Sequence, residues 1–241
     1  MKIKGKNILI TGASKRIGRS LALNLAKEGA NILIHYNSSK KEAENLKEEL
    51  IKFGVNVEIF KADLKNLNEV YNLIKFSLEK FSKIDILINN ASIYFETPLE
   101  ETNEETLDLF YSIHIKAPFF LSKELGKVMY KNKYGRIINI IDYAPLRPYK
   151  NFAPYIITKG GLLTLTKVFA KELAPYVLVN GILPGPIIPA EGIDNKLKPL
   201  EKTVLKKWAG EEEIFKAVKY LIESEFTTGA VLPVEGGRLI C

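Results

Sequence analysis

Seven short runs rich in isoleucine, leucine and valine recur along the chain, at residues 7–11, 31–36, 56–61, 84–90, 135–141, 177–183 and 230–236. Longer segments with apolar residues at helical spacing separate them, such as RSLALNLAKEGA, KEAENLKEELIKFG and NEVYNLIKFSLEKF. The short runs are nearly continuous in apolar character rather than alternating, which is how a strand reads when both of its faces are covered. Covered faces mean helices on both sides of a mainly parallel sheet, so the pattern predicts an α/β, doubly wound fold of about seven strands. With 241 residues, 46% of them hydrophobic, the chain suits one sizeable core and falls short of two full domains. We expect a single domain over residues 1–241, without internal repeats.

Several function classes lose support at once. The net charge of +7 is spread as lysines among acids, as in KKEAENLKEELIK and EEEIFKAVK, which is the habit of solvated helix faces and not of a nucleic-acid surface. Small anionic ligands are the better use of that charge. No apolar run reaches about 18 residues and the first apolar run begins within a few residues of Met1, so we expect no membrane association and a cytoplasmic protein. The single cysteine, Cys241, and the two histidines, His35 and His114, supply neither a disulfide nor a metal cluster, so no metal is expected.

The stretch LITGASKRIGRSLA, residues 9–22, joins the first strand to the first helix through Gly12 and Gly18. Gly12 permits a sharp turn and Gly18 a close helix approach, so that backbone N–H groups and a helix N-terminus face a pyrophosphate. The second strand ends HYNSSKK, with no acid to bind the ribose hydroxyls of NAD. Hydroxyls, an amide and lysines suit a 2′-phosphate, so NADPH/NADP is the expected cofactor, held by Asn37, Ser38 and Ser39, with Lys40 less well placed. The same serines would also serve as caps for the following helix.

Tyr155 and Lys159 lie one helical turn apart in YIITK, and an ammonium beside a phenol lowers the phenol pKa from about 10. Together with TGASKRIG, ADL at 62–64, NNAS at 89–92, NGILPGPI at 180–187 and TTGAVLPVEGG at 227–237, this resembles the short-chain dehydrogenases/reductases, over nearly the whole chain. The resemblance implies a Rossmann-type domain with Tyr155 as proton donor and Lys159 holding the nicotinamide ribose. It implies cofactor contacts from Gly12, Ser14, Lys15, Arg16, Ile17 and Gly18, from Asp63 and Leu64 at the adenine, from Asn89 and Ala91 beside the adenosine, and from Pro184, Gly185 and Ile187 at the nicotinamide. A homotetramer built on the long central helices is the implied assembly.

Five positions depart from the common pattern of that family. Asp142 stands where a serine usually polarises the substrate carbonyl, His114 replaces an asparagine in the fourth helix, Arg16 replaces a glycine, and Ser92 and Tyr94 follow NNA. These departures are similar to those of the pteridine reductases, including dihydromonapterin reductases. The resemblance makes Asp142 and His114 catalytic candidates. A flat pterin lying beside the pyrophosphate would meet Arg16, stack on Tyr94 and bond to Ser92. Arg16 could instead serve phosphate alone, and Tyr94 and His114 could be structural. The expected activity is NADPH-dependent reduction of a dihydropterin-type substrate. The alternatives are a 3-oxoacyl-carrier-protein or other carbonyl reductase, and a catalytically idle NADP(H)-binding regulator. The proline-broken segment at 186–210 is expected to be a loop that covers substrate.

Overall fold

The computed structural model describes residues 3–189 and 198–241. Their strands are β1 (Asn7–Ile10), β2 (Asn31–Tyr36), β3 (Val57–Lys61), β4 (Ile86–Asn89), β5 (Gly135–Ile140), β6 (Val177–Pro184) and β7 (Val231–Val234), all paired in parallel in the order β3-β2-β1-β4-β5-β6-β7. The helices are α1 (Arg16–Lys27), α2 (Lys40–Ile51), α3 (Leu67–Phe81), α4 (Glu104–Tyr111), α5 (Ala117–Lys131), α6 (Ala153–Glu172), the short α7 (Lys198–Glu201) and α8 (Glu211–Glu223). Each of the seven apolar runs is a strand, and Pro233 falls in β7, at the sheet edge, where a missing N–H is tolerated.

Alternation along the strands divides the core. Ile8, Ile10, Ile32, Ile34, Ile86 and Ile88 point to one face, where α1, α2 and α8 bury Leu21, Leu25, Leu46, Leu50, Val218 and Leu221 against them. Leu9, Leu33, Leu87, Ile137 and Val179 point to the other face and meet Val70, Leu73, Leu121, Leu125, Leu162 and Leu165 from α3, α5 and α6. Each such side chain, taken fully out of water, contributes about 1.5–3 kcal/mol before chain entropy is counted. Both faces being covered is the physical reason that these strands read as continuous apolar runs.

Residues 104–131, a single helical pattern in the sequence, form α4 and α5 joined by a wide π-type turn at Ser112–Lys116. Pro118 explains the interruption. In an uninterrupted α-helix it would donate nothing to the carbonyl of residue 114, and its ring would press on that oxygen. Its partner α6 also carries a proline, Pro154, but in its first turn, where no donor is lost.

Candidate active site

At the carboxyl ends of the strands a cleft of about 460 Å³ opens along β1, β2, β4, β5 and β6, within the size range of small-molecule sites. Its first wall is the turn after β1. Gly12 takes φ +63°, and a side chain there would come to 3.0 Å from the Ala91 Cα. A Cβ on Gly18 would lie 2.2 Å from the Gly12 carbonyl oxygen, so only glycine fits where α1 enters beneath the loop. Gly12, Ser14, Lys15, Arg16, Ile17 and Gly18 all line the cleft, as the sequence leads one to expect. This cradle, with backbone N–H groups and a helix N-terminus at its mouth, fits a dinucleotide pyrophosphate.

Residues not singled out in the sequence hold this loop in shape. The Gly12 N–H donates to His35 Nδ1 at 3.1 Å, and His35 Nε2 donates to the Ala62 carbonyl at 3.0 Å. Burial outweighs the Ala62 hydrogen bond and draws the His35 pKa down to about 4, so the ring is neutral near pH 7. Asn90 Nδ2 donates to the carbonyls of Thr11 and Gly12 at 2.9 and 3.0 Å, and Thr11 Oγ1 accepts from the Asn90 and Ala91 N–H groups. The signal in the sequence was a histidine at the carboxyl end of β2 and a second asparagine beside Asn89.

Asn89 itself is turned away from the cleft. It is the last residue of β4, directly opposite Asn139 of β5, and its Nδ2 donates to Asn139 Oδ1 at 2.8 Å and to Ser122 Oγ at 3.3 Å in the core. The expectation that Asn89 meets the cofactor is corrected by this register: Asn90, one residue beyond the strand, lines the cleft with Ala91 and Ser92.

Arg16 takes φ +52°, the left-handed region that a glycine would occupy without strain, and its guanidinium donates to the Pro189 carbonyl at 2.8 Å. It therefore ties the glycine loop to the segment after β6. Of the expected covering loop at 186–210, residues 190–197 lie outside those described. Pro184, Gly185 and Ile187 line the cleft, as do Asp63 and Leu64 beyond β3. Asn37, Ser38 and Ser39 line its far end, and Ser39, at the N-cap of α2, makes no side-chain capping bond.

The reactive end lies beyond β5. Asp142 is half-buried, its Oδ1 accepts from the Ala144 N–H at 2.7 Å in a tight local turn, and its Oδ2 accepts from the Tyr155 hydroxyl at 2.8 Å. Lys159 Nζ donates to the Ile140 carbonyl at 3.0 Å and stands 5.7 Å from the centre of the Tyr155 ring. The sequence suggested an ammonium lowering a phenol pKa. Instead, burial and then the Asp142 charge push Tyr155 well above its ordinary value. Burial also raises Asp142, against the pull of its hydrogen bonds and of Lys159. Lys159 is lowered to about 8 by burial, which Asp142 opposes. The phenol is thus held as an acid, bonded to a carboxylate.

Two further candidates sit behind this group. Tyr94 stacks on Phe152, with centroids 4.7 Å apart at 13°, and meets the Tyr155 ring edge-on at 4.9 Å, so it walls the tyrosine and does not line the cleft. His114, in the π-type turn, is buried with Ser92 Oγ and the Ile93 N–H at Nε2 and Thr158 Oγ1 at Nδ1. With both ring nitrogens occupied by protein groups, it faces other residues and not the cleft.

A loop shaped for a pyrophosphate beside a buried phenol, carboxyl group and ammonium describes an oxidoreductase that works with a bound nucleotide. The chain belongs to the short chain dehydrogenase family, whose model matches residues 6–195. It is 34% identical to the 3-oxoacyl-[acyl-carrier-protein] reductase FabG of Staphylococcus epidermidis, over 96% of this chain and 98% of that protein. It is 33% identical to the L-rhamnose 1-dehydrogenase (NADP(+)) of Thermoplasma acidophilum, over 100% of this chain and 98% of that one. Among solved structures it is similar to FolM alternative dihydrofolate reductase 1 from Brucella canis complexed with NADP, with TM-score 0.92, 28% identity and coverage of 100% and 97% of the two chains.

Proposed function

We infer that this oxidoreductase uses NADPH to reduce a dihydropterin-type substrate at a ring C=N bond. The observation that carries the substrate reading is the 2.8 Å hydrogen bond from Tyr155 to Asp142. A serine at that place would supply a hydroxyl to a carbonyl oxygen, whereas a desolvated carboxyl group with a raised pKa both accepts and returns a proton, as a ring nitrogen requires. The likeness to FolM, an alternative dihydrofolate reductase, supports the same class. For the cofactor, the support is the pyrophosphate cradle at Gly12 and Gly18, the absence of an acid between His35 and Lys41, and NADP in relatives and neighbours.

Bound NADPH supplies a hydride. The chain's own groups supply the proton and the orientation. Lys159 lies within the cleft to bond the nicotinamide ribose and keeps positive charge beside Asp142. Tyr155 and Asp142 share protons: the first belongs to the phenol and the second, bound as pH falls, to the carboxyl. Tyr155 gives up its proton to the substrate nitrogen, and Asp142 returns one to the phenol oxygen. Arg16 and Ser92 line the wall on which the pterin would lie, and Tyr94 backs the tyrosine.

The second reading, a 3-oxoacyl-carrier-protein reductase, is favoured by the likeness to FabG. NADPH oxidation measured with 7,8-dihydrobiopterin and, separately, with an acetoacetyl thioester decides between them. Turnover of the thioester alone would replace the pterin reading, and binding of NADPH with neither turnover would favour an idle regulator. A homotetramer in the cytoplasm completes the reading. Exposed Tyr111, Phe119, Ile157 and Val168 on α4, α5 and α6 support association through those helices, which light scattering would measure. No helix among the described residues is long and apolar enough to cross a membrane.

A further inference from the structure

The hydrogen bonds around His114 leave one arrangement of hydrogens. Thr158 Oγ1 lies 2.9 Å from Nδ1, and its single hydrogen already has acceptors in the Pro154 carbonyl at 2.7 Å and the Tyr155 carbonyl at 3.1 Å. Nδ1 therefore carries the ring hydrogen and donates it to Thr158. Across the ring, the Ile93 N–H points at Nε2 from 3.3 Å, which requires a bare nitrogen there. Burial, then the nearby Lys159 charge, keep the ring neutral. Ser92 Oγ stands 3.0 Å from that bare Nε2 and 3.3 Å from the Ile93 carbonyl. Both of these partners accept and neither can donate. These two acceptors draw the hydrogen of the exposed Ser92 hydroxyl toward the protein, which turns the lone pairs of its oxygen toward the cleft that it lines.

We propose that His114 is a positioning residue that fixes Ser92 as a hydrogen-bond acceptor, so that the cleft selects substrates presenting an N–H donor on that wall over those presenting a carbonyl oxygen. The inference rests on the dihydropterin reading and sharpens it. The exocyclic amino group of a 2-aminopteridine is such a donor, whereas a β-keto thioester offers that wall only oxygens. Acceptor facing acceptor leaves lone pairs unpaired in a partly desolvated site, which is how polar sites reject near-identical ligands.

Two measurements test this. Nitrogen-15 NMR of the histidine rings in the intact protein should show His114 protonated at Nδ1 and bare at Nε2. Titration of the NADP-bound protein with pterin and with lumazine, which carries a carbonyl in place of the amino group, should show pterin bound at least tenfold more tightly. Ser92→Ala should bring the ratio to within about twofold. His114→Phe keeps a ring against Phe110 and Tyr155 but frees the Ser92 hydroxyl to turn, so the ratio should fall there as well, with NADP affinity retained. A purely structural His114 would weaken both pteridines alike and leave the ratio unchanged. An Nε2–H ring, equal binding of the two pteridines by wild type, or an unchanged ratio in Ser92→Ala would overturn the proposal. An Nδ1–H ring with neither pteridine bound would support the polarity of Ser92 and reject the pterin as its ligand.

Discussion

Tyr155 and Asp142 are joined by a hydrogen bond of 2.8 Å in which the phenol donates, so the residue proposed as proton donor is also the clamp on the carboxylate. Tyr155→Phe should leave NADPH affinity unchanged and lower kcat by about 10²–10⁴-fold, the usual contribution of a general acid. It should also raise the Asp142 pKa, because the lost hydrogen bond was holding that pKa down. Steady-state rates and a fluorescence titration of NADPH check both halves.

In the reductive direction, kcat/KM should fall as pH rises through the Asp142 pKa, which burial sets above the ordinary aspartate value of about 3.9. Asp142→Ser should remove that limb of the profile, depress dihydropterin reduction by at least tenfold and leave reduction of a small ketone unchanged or faster. Lys159 loses the charge that opposes its desolvation in this variant, so its pKa should drop below the present value of about 8. NADPH affinity would then weaken as pH rises through neutrality, an effect absent from wild type until higher pH.

NADPH should bind at least tenfold more tightly than NADH, a difference of about 1.4 kcal/mol. The exposed side chains of Asn37 and Ser38 border the far end of the cleft with no carboxylate between His35 and Lys41. Asn37→Asp should narrow or reverse the preference by repelling a 2′-phosphate. Isothermal titration with both nucleotides measures it, and equal affinities in wild type would remove the cofactor assignment.

Both histidines are buried and neutral, and the consequence appears in stability. His35 has a folded pKa of about 4 against 6.5 as its ordinary value, so the unfolded chain binds more protons between those limits. Stability should therefore fall as pH drops from about 6.5 to 4 and level off below, with His35 accounting for about 3 kcal/mol at full effect. His114, also lowered, adds in the same direction. Urea unfolding across this range should show a shallower slope for His35→Asn than for wild type.

The scaffold was legible because burial on both sheet faces leaves a direct trace in composition: all seven apolar runs became strands, with ends displaced by at most two residues. The glycine loop was legible because steric demands at Gly12 and Gly18 exclude other residues. What escaped depended on register and on hydrogen-bond partners far away in sequence. Asn89 and Asn90 are indistinguishable until the pairing of Asn89 with Asn139 sends one inward. The direction of the Tyr155 pKa turns first on its burial and then on Asp142, thirteen residues away, being near enough to accept its hydrogen. His35 reads as a strand residue until its Nδ1 is found holding the Gly12 N–H.

The wide turn at Ser112–Lys116 works as a phase shifter. An α-helix advances about 100° per residue, so one extra residue taken up in a single turn rotates everything before it by about that angle relative to everything after. The apolar stripe of α4 and that of α5 are thereby set out of step, and Phe110 can face the Tyr155 ring while Leu121 and Leu125 face the sheet. Deleting one residue between Ser112 and Lys116, together with a Pro118→Ala change that removes the ring clash, would restore an even helix and swing α4 around its axis. The side chains behind the reactive tyrosine would then be exchanged for those of the solvent side, with the sheet and the nucleotide loop left as they are.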